Sequence, residues 1–302
     1  MKIIVYDDNA DFGGHQIMAG HGIAALASDP STEILCLINP ANHRFAETLA
    51  SIGRCRVLET PRRTQRVLRG LDHFDHRQIN RTKHLFEKLQ ADLLLCIQGD
   101  IEHSSQALIA AHRLGIECIS YIALPHSRVL MGAKLGRLRD RRNRHLYQLP
   151  NRYIAISQQI ARLLQTCGVA QPITVVSNGI STPPAPAAGS RERPFVLGML
   201  GRVEFNQKQQ DFMVRTFCDF PKAFENCRLL IAGDGPDRTA LEHLAAACPR
   251  KADIDLLPWQ KDIDAFYASI DMLVIPSRFE GVPLVMLEAL ARGIPVIGSN
   301  RD

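Results

Sequence analysis

Short apolar runs alternate with stretches of helical periodicity along the whole of this 302-residue chain. The runs lie at residues 3–6, 33–38, 93–97, 118–122, 153–156 and 174–176, and then at 195–200, 229–232, 254–257, 272–275 and 296–297. A turn and a helix-like segment follow almost every run. Strands that alternate with helices form parallel sheets covered by helices. The sequence therefore predicts an α/β fold with parallel sheets.

A segment rich in proline and small residues interrupts this alternation between residues 181 and 194. Such a composition is typical of a linker between domains, and 302 residues suffice for two domains. We predict an N-terminal Rossmann-like domain at residues 1–182, a linker at 183–194 and a C-terminal Rossmann-like domain at 195–302.

The composition narrows the class of protein. With 46% hydrophobic and 22% charged residues the chain is typical of soluble globular proteins. No apolar run approaches the length of roughly 18 residues that a membrane-spanning helix needs, and a secretory signal pattern is absent. A cytoplasmic location is therefore expected. A net charge of +5 favours anionic ligands but falls short of a dedicated nucleic-acid binder. The eight cysteines lack C-x-x-C pairs, which indicates free thiols rather than disulfides or zinc ligands.

Residues 277–289 (SRFEGVPLVMLEA) place two glutamates eight positions apart. A strand, a turn and a helix are predicted here, with Pro283 opening the helix and Gly293 following it. Glu280 then lies in the turn and Glu288 in the helix, roughly 8 Å or more apart along its axis. Ionised carboxylates accept hydrogen bonds from neighbouring hydroxyls, which suits a ribose and a hexose. The alternative is a capping acid and an exposed helical glutamate.

Further candidates follow other strands of the second half. Arg202 and Lys208 follow the strand at 195–200, at the edge where doubly wound sheets bind ligands. Two fixed cations there stabilise a diphosphate leaving group without a metal, although a pair of surface cations is the alternative. Gly233 lies in a glycine-rich turn, and Trp259, the only tryptophan, is a candidate to flank a nucleobase or to make main-chain contacts. Two Asp-x-Asp pairs, at 253–255 and 262–264, are interpreted as a strand and a helix cap rather than a metal site.

In the first half, Gly13-Gly14-His15 opens a helix after the first strand. Its main-chain amides are suited to a phosphate, although the G-x-G-x-x-G fingerprint is absent. His126 follows the strand at 118–122 and is either a site residue or, as is more usual for a lone histidine, a structural one.

Residues 128–149 combine apolar residues at helical spacing with many arginines. They are interpreted either as a helix on a membrane surface or as a solvated helix. The apolar residues are Met131, Leu135, Leu138 and Leu146. Residues 62–89 are predicted as one long helix, or as a helix with a break near Gly70.

The second half resembles the nucleotide-binding domain of a family 4 glycosyltransferase with the GT-B fold. The resemblance is carried, in order, by GR-x5-K at 201–208, AGDGP at 232–236, LPW at 257–259, PS-x-x-EG at 276–281 and LEA-x-A-x-G-x-PV at 287–296. In the first half Gly13-Gly14, residues 121–126, IAIS at 154–157 and VVSNGI at 175–180 are similar to the family in a looser way.

This resemblance implies two Rossmann-like domains facing across a cleft. It implies a retaining, metal-independent hexosyltransferase without a cofactor, which takes a UDP-, GDP- or ADP-sugar. The hexose would pass to a saccharide or lipid-linked acceptor in cell-surface polysaccharide synthesis. The expected location is cytoplasmic or peripheral at the inner membrane surface, with anionic lipid but no nucleic acid as a partner.

The resemblance also implies roles for individual residues. Arg202 and Lys208 would bind the donor diphosphate, Glu288 the ribose and Glu280 the transferred sugar, while Gly14 and His126 would contact phosphate or sugar from the other domain. The catalytic candidates are thus His126, Glu280, Arg202 and Lys208. The donor-binding candidates are Gly14, Arg202, Lys208, Gly233, Trp259, Glu280, Gly281, Val282, Pro283, Leu284 and Glu288.

The chain also departs from the family pattern. Gln209 replaces the usual glycine, and Val282-Pro283 stands where Phe-Gly is frequent. The sequence stops at Asp302, before the glycine-rich loop, strand and long helix of the family, so we expect a truncated second domain. Two alternatives remain open: a sugar-nucleotide 2-epimerase of similar scaffold and a non-catalytic nucleotide-binding relative.

Overall fold

The computed structural model describes residues 1–60, 74–181 and 193–300. The chain divides into two compact units, Met1–Asn178 and Gly179–Asp302. Each contains one parallel sheet with helices, so the predicted α/β class is confirmed. The predicted linker at 183–194 falls almost wholly outside the described residues, as does part of the helix predicted at 62–89. The domain limits 1–182 and 195–302 therefore stay predictions.

The first unit has a seven-stranded parallel sheet in the order β3-β2-β1-β4-β5-β6-β7. The central strands are rich in isoleucine, leucine and valine because helices cover both of their faces. The strands are β1 (Lys2–Asp7), β2 (Glu33–Ile38), β3 (Cys55–Glu59), β4 (Leu93–Gln98), β5 (Glu117–Ile122), β6 (Arg152–Ala155) and β7 (Ile173–Val175). The helices are α1 (Gly14–Ala27), α2 (His43–Ala50), α3 (His76–Leu89), α4 (Ser105–Leu114), α5 (Gly136–Asn143) and α6 (Gln158–Thr166).

The second unit has a five-stranded parallel sheet in the order β10-β9-β8-β11-β12. Two apolar clusters bury its two faces, one around Phe217 and the other around Phe266 and Tyr267. The strands are β8 (Phe195–Leu200), β9 (Cys227–Ala232), β10 (Ile254–Leu257), β11 (Met272–Ile275) and β12 (Val296–Gly298). The helices are α7 (Phe205–Lys208), α8 (Gln210–Asp219), α9 (Arg238–Ala246), α10 (Ile263–Ser269) and α11 (Leu284–Ala291).

Each sheet reverses its strand order beside its first strand. The reversal lies between β1 and β4 in the first unit and between β8 and β11 in the second. Connections on either side of such a point run to opposite faces, which leaves a crevice at the carboxyl ends of the two strands. The loops after β1, β4, β8 and β11 are therefore where ligand-binding residues are expected.

Three expectations from the sequence are wrong. Strand β3 was missed because it is a half-exposed edge strand without a continuous apolar run. Residues 128–149 are not one helix: Gly132 and Leu135 have positive φ angles, so only Gly136–Asn143 is α-helical and a short 3₁₀ helix follows at Leu146–Gln148. Cys218 and Cys248 form a disulfide, which the spacing did not indicate.

Candidate functional site

An ion pair joins the two loops at the reversal point of the second sheet. Lys208, at the end of α7, donates from Nζ to Glu280 Oε1 at 2.6 Å. Both side chains are largely buried, with 24% and 17% of their surface exposed. The two residues are 72 positions apart, and they meet because β8 and β11 are neighbours in the sheet. The structure thus brings together two residues that the sequence analysis assigned to one site.

Further hydrogen bonds hold these two loops together. The main-chain N–H of Arg278 donates to Gln207 O at 2.9 Å, and its guanidinium donates to Asn206 Oδ1 at 3.0 Å. Gln207 Nε2 in turn donates to Phe279 O at 3.4 Å. Because the Phe279 side chain is buried, the turn that carries Glu280 is fixed on both sides. The Lys208–Glu280 pair is therefore held by a rigid support.

Arg202 lies in the same loop, two residues after β8 ends. Its guanidinium pairs with the Glu204 carboxylate, and its carbonyl accepts a hydrogen bond from Gln210 Nε2 at 2.9 Å. With 38% of its side chain exposed, Arg202 is more accessible than Lys208. Glu204 lies inside the GR-x5-K motif, but the motif itself does not mark it as a partner of Arg202.

A small recess opens between these loops at the carboxyl ends of β8 and β11. Its walls include Gly201, Lys208, Gln210, Ser277 and Val285. The Ser277 hydroxyl is buried and has no hydrogen-bond partner among the described residues. Buried polar atoms are normally paired, so this hydroxyl is suited to hydrogen-bond a bound molecule.

Helix α11 begins at the same edge. Pro283 is its N-cap and Leu284 its first residue, which follow Gly281 and Val282 in the turn. A helix N-terminus carries partial positive charge and unpaired N–H groups, which favours an anion there. Glu288 is half-buried on this helix, and its Oε2 accepts a hydrogen bond from the Tyr267 hydroxyl at 2.8 Å.

Gly233 and Trp259 follow β9 and β10 at this edge. A Cβ atom at Gly233 would lie 1.9 Å from Gly201 O, so the turns after β8 and β9 are in close main-chain contact. Trp259 is 42% exposed, and its main-chain N–H donates to Asp234 Oδ2 at 2.9 Å. The role of Trp259 beside a nucleobase, through its ring or its main chain, stays a prediction.

In the first unit, a chain of hydrogen bonds supports the glycine loop after β1. Gly14, which is exposed, is the first residue of α1. Gly13 N–H donates to Gln16 Oε1 at 2.6 Å, and Gln16 Nε2 donates to Asp7 Oδ2 at 2.8 Å. Burial raises the pKa of the Asp7 carboxyl to about 7. The loop conformation thus depends on a buried acid at the end of β1.

His126 is buried, with 4% of its surface exposed, and its carbonyl accepts a hydrogen bond from the Arg128 guanidinium at 3.4 Å. Arg128 also pairs with Asp100 at 2.8 Å. Burial opposes ionisation of Asp100, but Arg128 and His103 outweigh it and hold the pKa of this carboxyl well below its usual range. Glu102, which pairs with Arg139, completes a buried ionic cluster beside the histidine.

Two histidines that the sequence analysis did not assign to the site lie near the end of β4. A Cβ atom at Gly99 would lie 3.4 Å from His15 Cε1 and 3.5 Å from His103 Nδ1. In the sequence, His15 stands out only as part of the glycine loop, and no motif marks His103. The signal that finds them is their position after β1 and β4, the two strands at the reversal point.

Residues 185–302 match the family described as Glycosyl transferases group 1. Residues 31–183, which are half of the chain, match the family described as Glycosyltransferase Family 4. The chain belongs to glycosyltransferase family 4. The resemblance inferred from the motifs is thereby confirmed.

Individual relatives of this family 4 protein cover parts of it. It is 27% identical over 246 residues to the lipopolysaccharide 1,6-galactosyltransferase of Escherichia coli. This match covers 74% of this chain and 61% of that protein. It is 31% identical over 111 residues to the alpha-monoglucosyldiacylglycerol synthase of Acholeplasma laidlawii. This match covers 36% of this chain and 28% of that protein. An uncharacterized glycosyltransferase of Haemophilus influenzae is 30% identical over 96 residues, 32% of this chain and 27% of that protein.

Solved structures share its fold. HepE of Anabaena in complex with UDP-glucose is similar with a TM-score of 0.77 and 16% identity, over 100% of this chain and 81% of that chain. The apo form of the lipopolysaccharide outer core galactosyltransferase WaaB is similar with a TM-score of 0.66 and 20% identity, over the same shares. These similarities confirm the predicted two-domain architecture of the GT-B type. Among the described residues, no helix has the length and apolar character that crossing a bilayer requires.

Proposed function

We propose that this protein transfers a hexose from a nucleoside-diphosphate sugar to a saccharide or lipid-linked acceptor, with retention of configuration. The observation that carries the proposal is the Lys208–Glu280 pair at the reversal point of the second sheet, in a chain of glycosyltransferase family 4. The relatives named for lipopolysaccharide and glycolipid synthesis support an acceptor of cell-surface type. The neighbour that holds UDP-glucose supports a uridine donor.

In this proposal two cations receive the charge of the leaving diphosphate. Lys208 and Arg202 are both paired with carboxylates, Glu280 and Glu204. A diphosphate beside them accepts charge-assisted hydrogen bonds from both cations, and the Glu280 carboxylate then accepts from hydroxyls of the sugar. Stabilisation of this kind grows as the bond to the sugar breaks, so the proposal needs no metal ion or cofactor.

Other donor contacts are proposed along the same edge. The main-chain amides of Gly281, Val282 and Leu284, in the turn and at the start of the helix, are proposed to surround the diphosphate. Pro283 has no N–H, and its proposed contribution is only its fixed φ. Glu288 is proposed to bind the ribose. Gly233 and Trp259 are proposed to line the nucleotide site, and in the first unit Gly14 and His126 are proposed to contact phosphate or sugar.

Donor turnover with purified variants tests the proposal. We expect Lys208→Ala and Glu280→Gln each to lower the rate by about 100-fold or more, because each removes an interaction with the reacting sugar diphosphate. Lys222→Ala and Glu225→Gln make the same chemical changes at exposed positions of the second unit and should leave the rate unchanged. Full activity in both site variants would exclude these roles.

A screen of UDP, GDP, ADP and their sugars by thermal shift identifies the donor. Incubation with UDP-GlcNAc and no acceptor then separates the alternatives. Epimerisation of the sugar would indicate the 2-epimerase, and nucleotide binding without transfer to any acceptor would indicate a non-catalytic relative. Transfer that requires an acceptor supports the proposal.

We also propose that the protein acts at an anionic membrane surface through residues 129–144, called here the basic apolar surface. Four apolar residues are exposed within it: Val129 (51%), Leu130 (38%), Leu135 (75%) and Leu138 (50%). Exposed cations accompany them, namely Lys134, Arg137, Arg141 and Arg144. Apolar side chains next to lysine and arginine match the interface of an anionic bilayer.

The structure changes which residues support this contact. Leu146, one of the apolar residues in the predicted helix, is fully buried. Arg142 lies over the Phe74 ring at 4.3 Å. The one acidic residue of the basic apolar surface, Asp140, accepts a hydrogen bond from the Arg128 main chain at 2.6 Å. Leu135 is held exposed in the left-handed region, with a φ of 56°, a conformation that costs about 1 kcal/mol or more for leucine.

Sedimentation with vesicles tests this contact. We expect binding to vesicles that contain anionic phospholipid and little binding to neutral vesicles. Combined replacement of Leu135 and Leu138 by serine should abolish it, whereas Leu26→Ser, at an exposed leucine elsewhere in the first unit, should not. Equal binding to neutral and anionic vesicles, or none to either, would count against the proposal.

A further inference from the structure

The Glu288 carboxylate is approached by one buried hydroxyl. The Tyr267 hydroxyl donates to Glu288 Oε2 at 2.8 Å and lies 3.1 Å from Val285 O. A phenol has one proton to donate, and the charged carboxylate is the stronger and closer acceptor. Tyr267 lies on α10 and Glu288 on α11, so this contact links two helices.

Tyr267 itself is held firmly in place. It is 2% exposed and packs edge-on against Phe266, with ring centroids 5.5 Å apart. The Arg292 guanidinium lies over its ring at 4.8 Å. Arg292 also donates to Asp264 Oδ1 of α10 at 3.0 Å and to the Glu288 carbonyl at 2.9 Å. The phenol therefore has a fixed position relative to α11.

The type of donor matters as much as its position. Burial, followed by the nearby Glu288 carboxylate, raises the pKa of Tyr267 far above its usual range, so the hydroxyl keeps its proton. A neutral donor fixes Oε2 without adding a charge of its own beside the carboxylate. Within residues 193–300 no donor reaches Glu288 Oε1. Glu280 differs, because its partner is the Lys208 ammonium.

We propose that Tyr267 is a positioning residue, which orients the Glu288 carboxylate to accept hydrogen bonds from the two hydroxyls of the donor's ribose. This inference rests on the proposed role of Glu288 in donor binding. The side chain of a glutamate has three rotatable bonds, and an anchored oxygen lowers the entropy lost when ribose binds. Without the anchor, the same carboxylate remains present but is less often oriented toward the diol.

Calorimetric titration of the full chain with UDP and with 2′,3′-dideoxy-UDP tests the inference. We expect Tyr267→Phe to weaken UDP binding by about tenfold, the effect of one hydrogen bond to a charged group. Binding of the dideoxy analogue should not change, because it lacks the hydroxyls that Glu288 receives. Tyr153→Phe is the matched control, since it removes a buried tyrosine hydroxyl in the first unit, 3.0 Å from Tyr147 O.

The double variant gives a second measurement. Glu288→Gln should weaken UDP binding and remove most of the preference for UDP over the dideoxy analogue. Adding Tyr267→Phe to Glu288→Gln should then have little further effect, because the two residues act through the same contact. The ratio of the two dissociation constants comes from one protein sample, so it does not depend on the folded fraction.

The outcomes separate this inference from the proposed function. An unchanged preference for UDP in Tyr267→Phe, or equal weakening for both nucleotides, would overturn the positioning role. Failure of Glu288→Gln to alter the preference would overturn the assignment of ribose to Glu288 and the inference with it. A wild-type chain that binds none of UDP, GDP and ADP would overturn the proposed function.

Discussion

The close contact between the turns after β8 and β9 predicts a large difference between two glycine substitutions. Gly201 and Gly233 both have a φ of 144°, a conformation that side chains of L-residues rarely adopt. A Cβ atom at Gly201 would have no heavy atom within 4 Å, whereas one at Gly233 would lie 1.9 Å from Gly201 O. The two alanine variants therefore share the same main-chain strain, and only one adds a steric clash.

The magnitude follows from these two contributions. An L-residue in this region of φ costs roughly 1–3 kcal/mol of folding free energy at either position. Real Cβ contacts essentially never fall below 3.0 Å, so at Gly233 the Gly201 carbonyl must move by at least 1.1 Å, the difference between 3.0 and 1.9 Å. Such overpacking adds about 1–3 kcal/mol. Gly233→Ala should thus be about 2 kcal/mol less stable than Gly201→Ala.

Urea unfolding followed by tryptophan fluorescence measures this difference. Trp259 is the only tryptophan of the chain, and its main-chain N–H bonds to Asp234, the residue after Gly233. Its signal therefore reports the unfolding of the second unit. Equal free energies of unfolding for the two variants, within about 0.5 kcal/mol, would refute the steric argument. A variant Gly233→Ala as stable as the wild type would refute both contributions.

Three other predictions concern stability. Because burial raises the pKa of Asp7 from 3.8 to about 7, ionisation of this carboxyl should lower the free energy of unfolding by up to roughly 4 kcal/mol as the pH rises from about 4 through 7. Urea titrations of wild type and Asp7→Asn should find this contribution absent in the variant. Arg128→Met removes the guanidinium that pairs with the buried Asp100 carboxylate, and it should lower the free energy of unfolding by about 3–5 kcal/mol. A loss under about 1 kcal/mol would show that this ion pair does not stabilise the first unit. The Cys218–Cys248 disulfide closes a loop of about 30 residues. A reductant should therefore lower the free energy of unfolding by about 3 kcal/mol in wild type and leave that of Cys218→Ser unchanged.

Much of the fold follows from local patterns in the sequence. Buried strands such as β1 and β4 have continuous apolar runs because helices cover both faces of a parallel sheet. Glycine and proline mark the ends of elements by the φ angles that they allow or impose, as Pro283 and Gly293 do around α11. Strands and helices were therefore mostly predicted correctly, and the carboxyl ends of strands were recognised as places for a site.

Features without a local signal were missed. Strand β3 is stabilised by pairing with β2 rather than by its own apolar pattern. The helix predicted at 128–149 had suitable spacing, but Arg128 and Arg139 are bound to the acids of the β4 loop, which imposes a different path on this segment. Tertiary contacts worth several hydrogen bonds outweigh helix propensities of less than about 1 kcal/mol per residue.

The sequence alone determined that this chain forms parallel-sheet units of a glycosyltransferase family and which residue types follow each strand. Only the tertiary structure decided that Lys208 donates to Glu280 and that Tyr267 donates to Glu288. The physical reason is that strand order is set by packing between distant segments. A periodic pattern reports the burial of each residue, but it does not report which neighbour supplies a hydrogen bond.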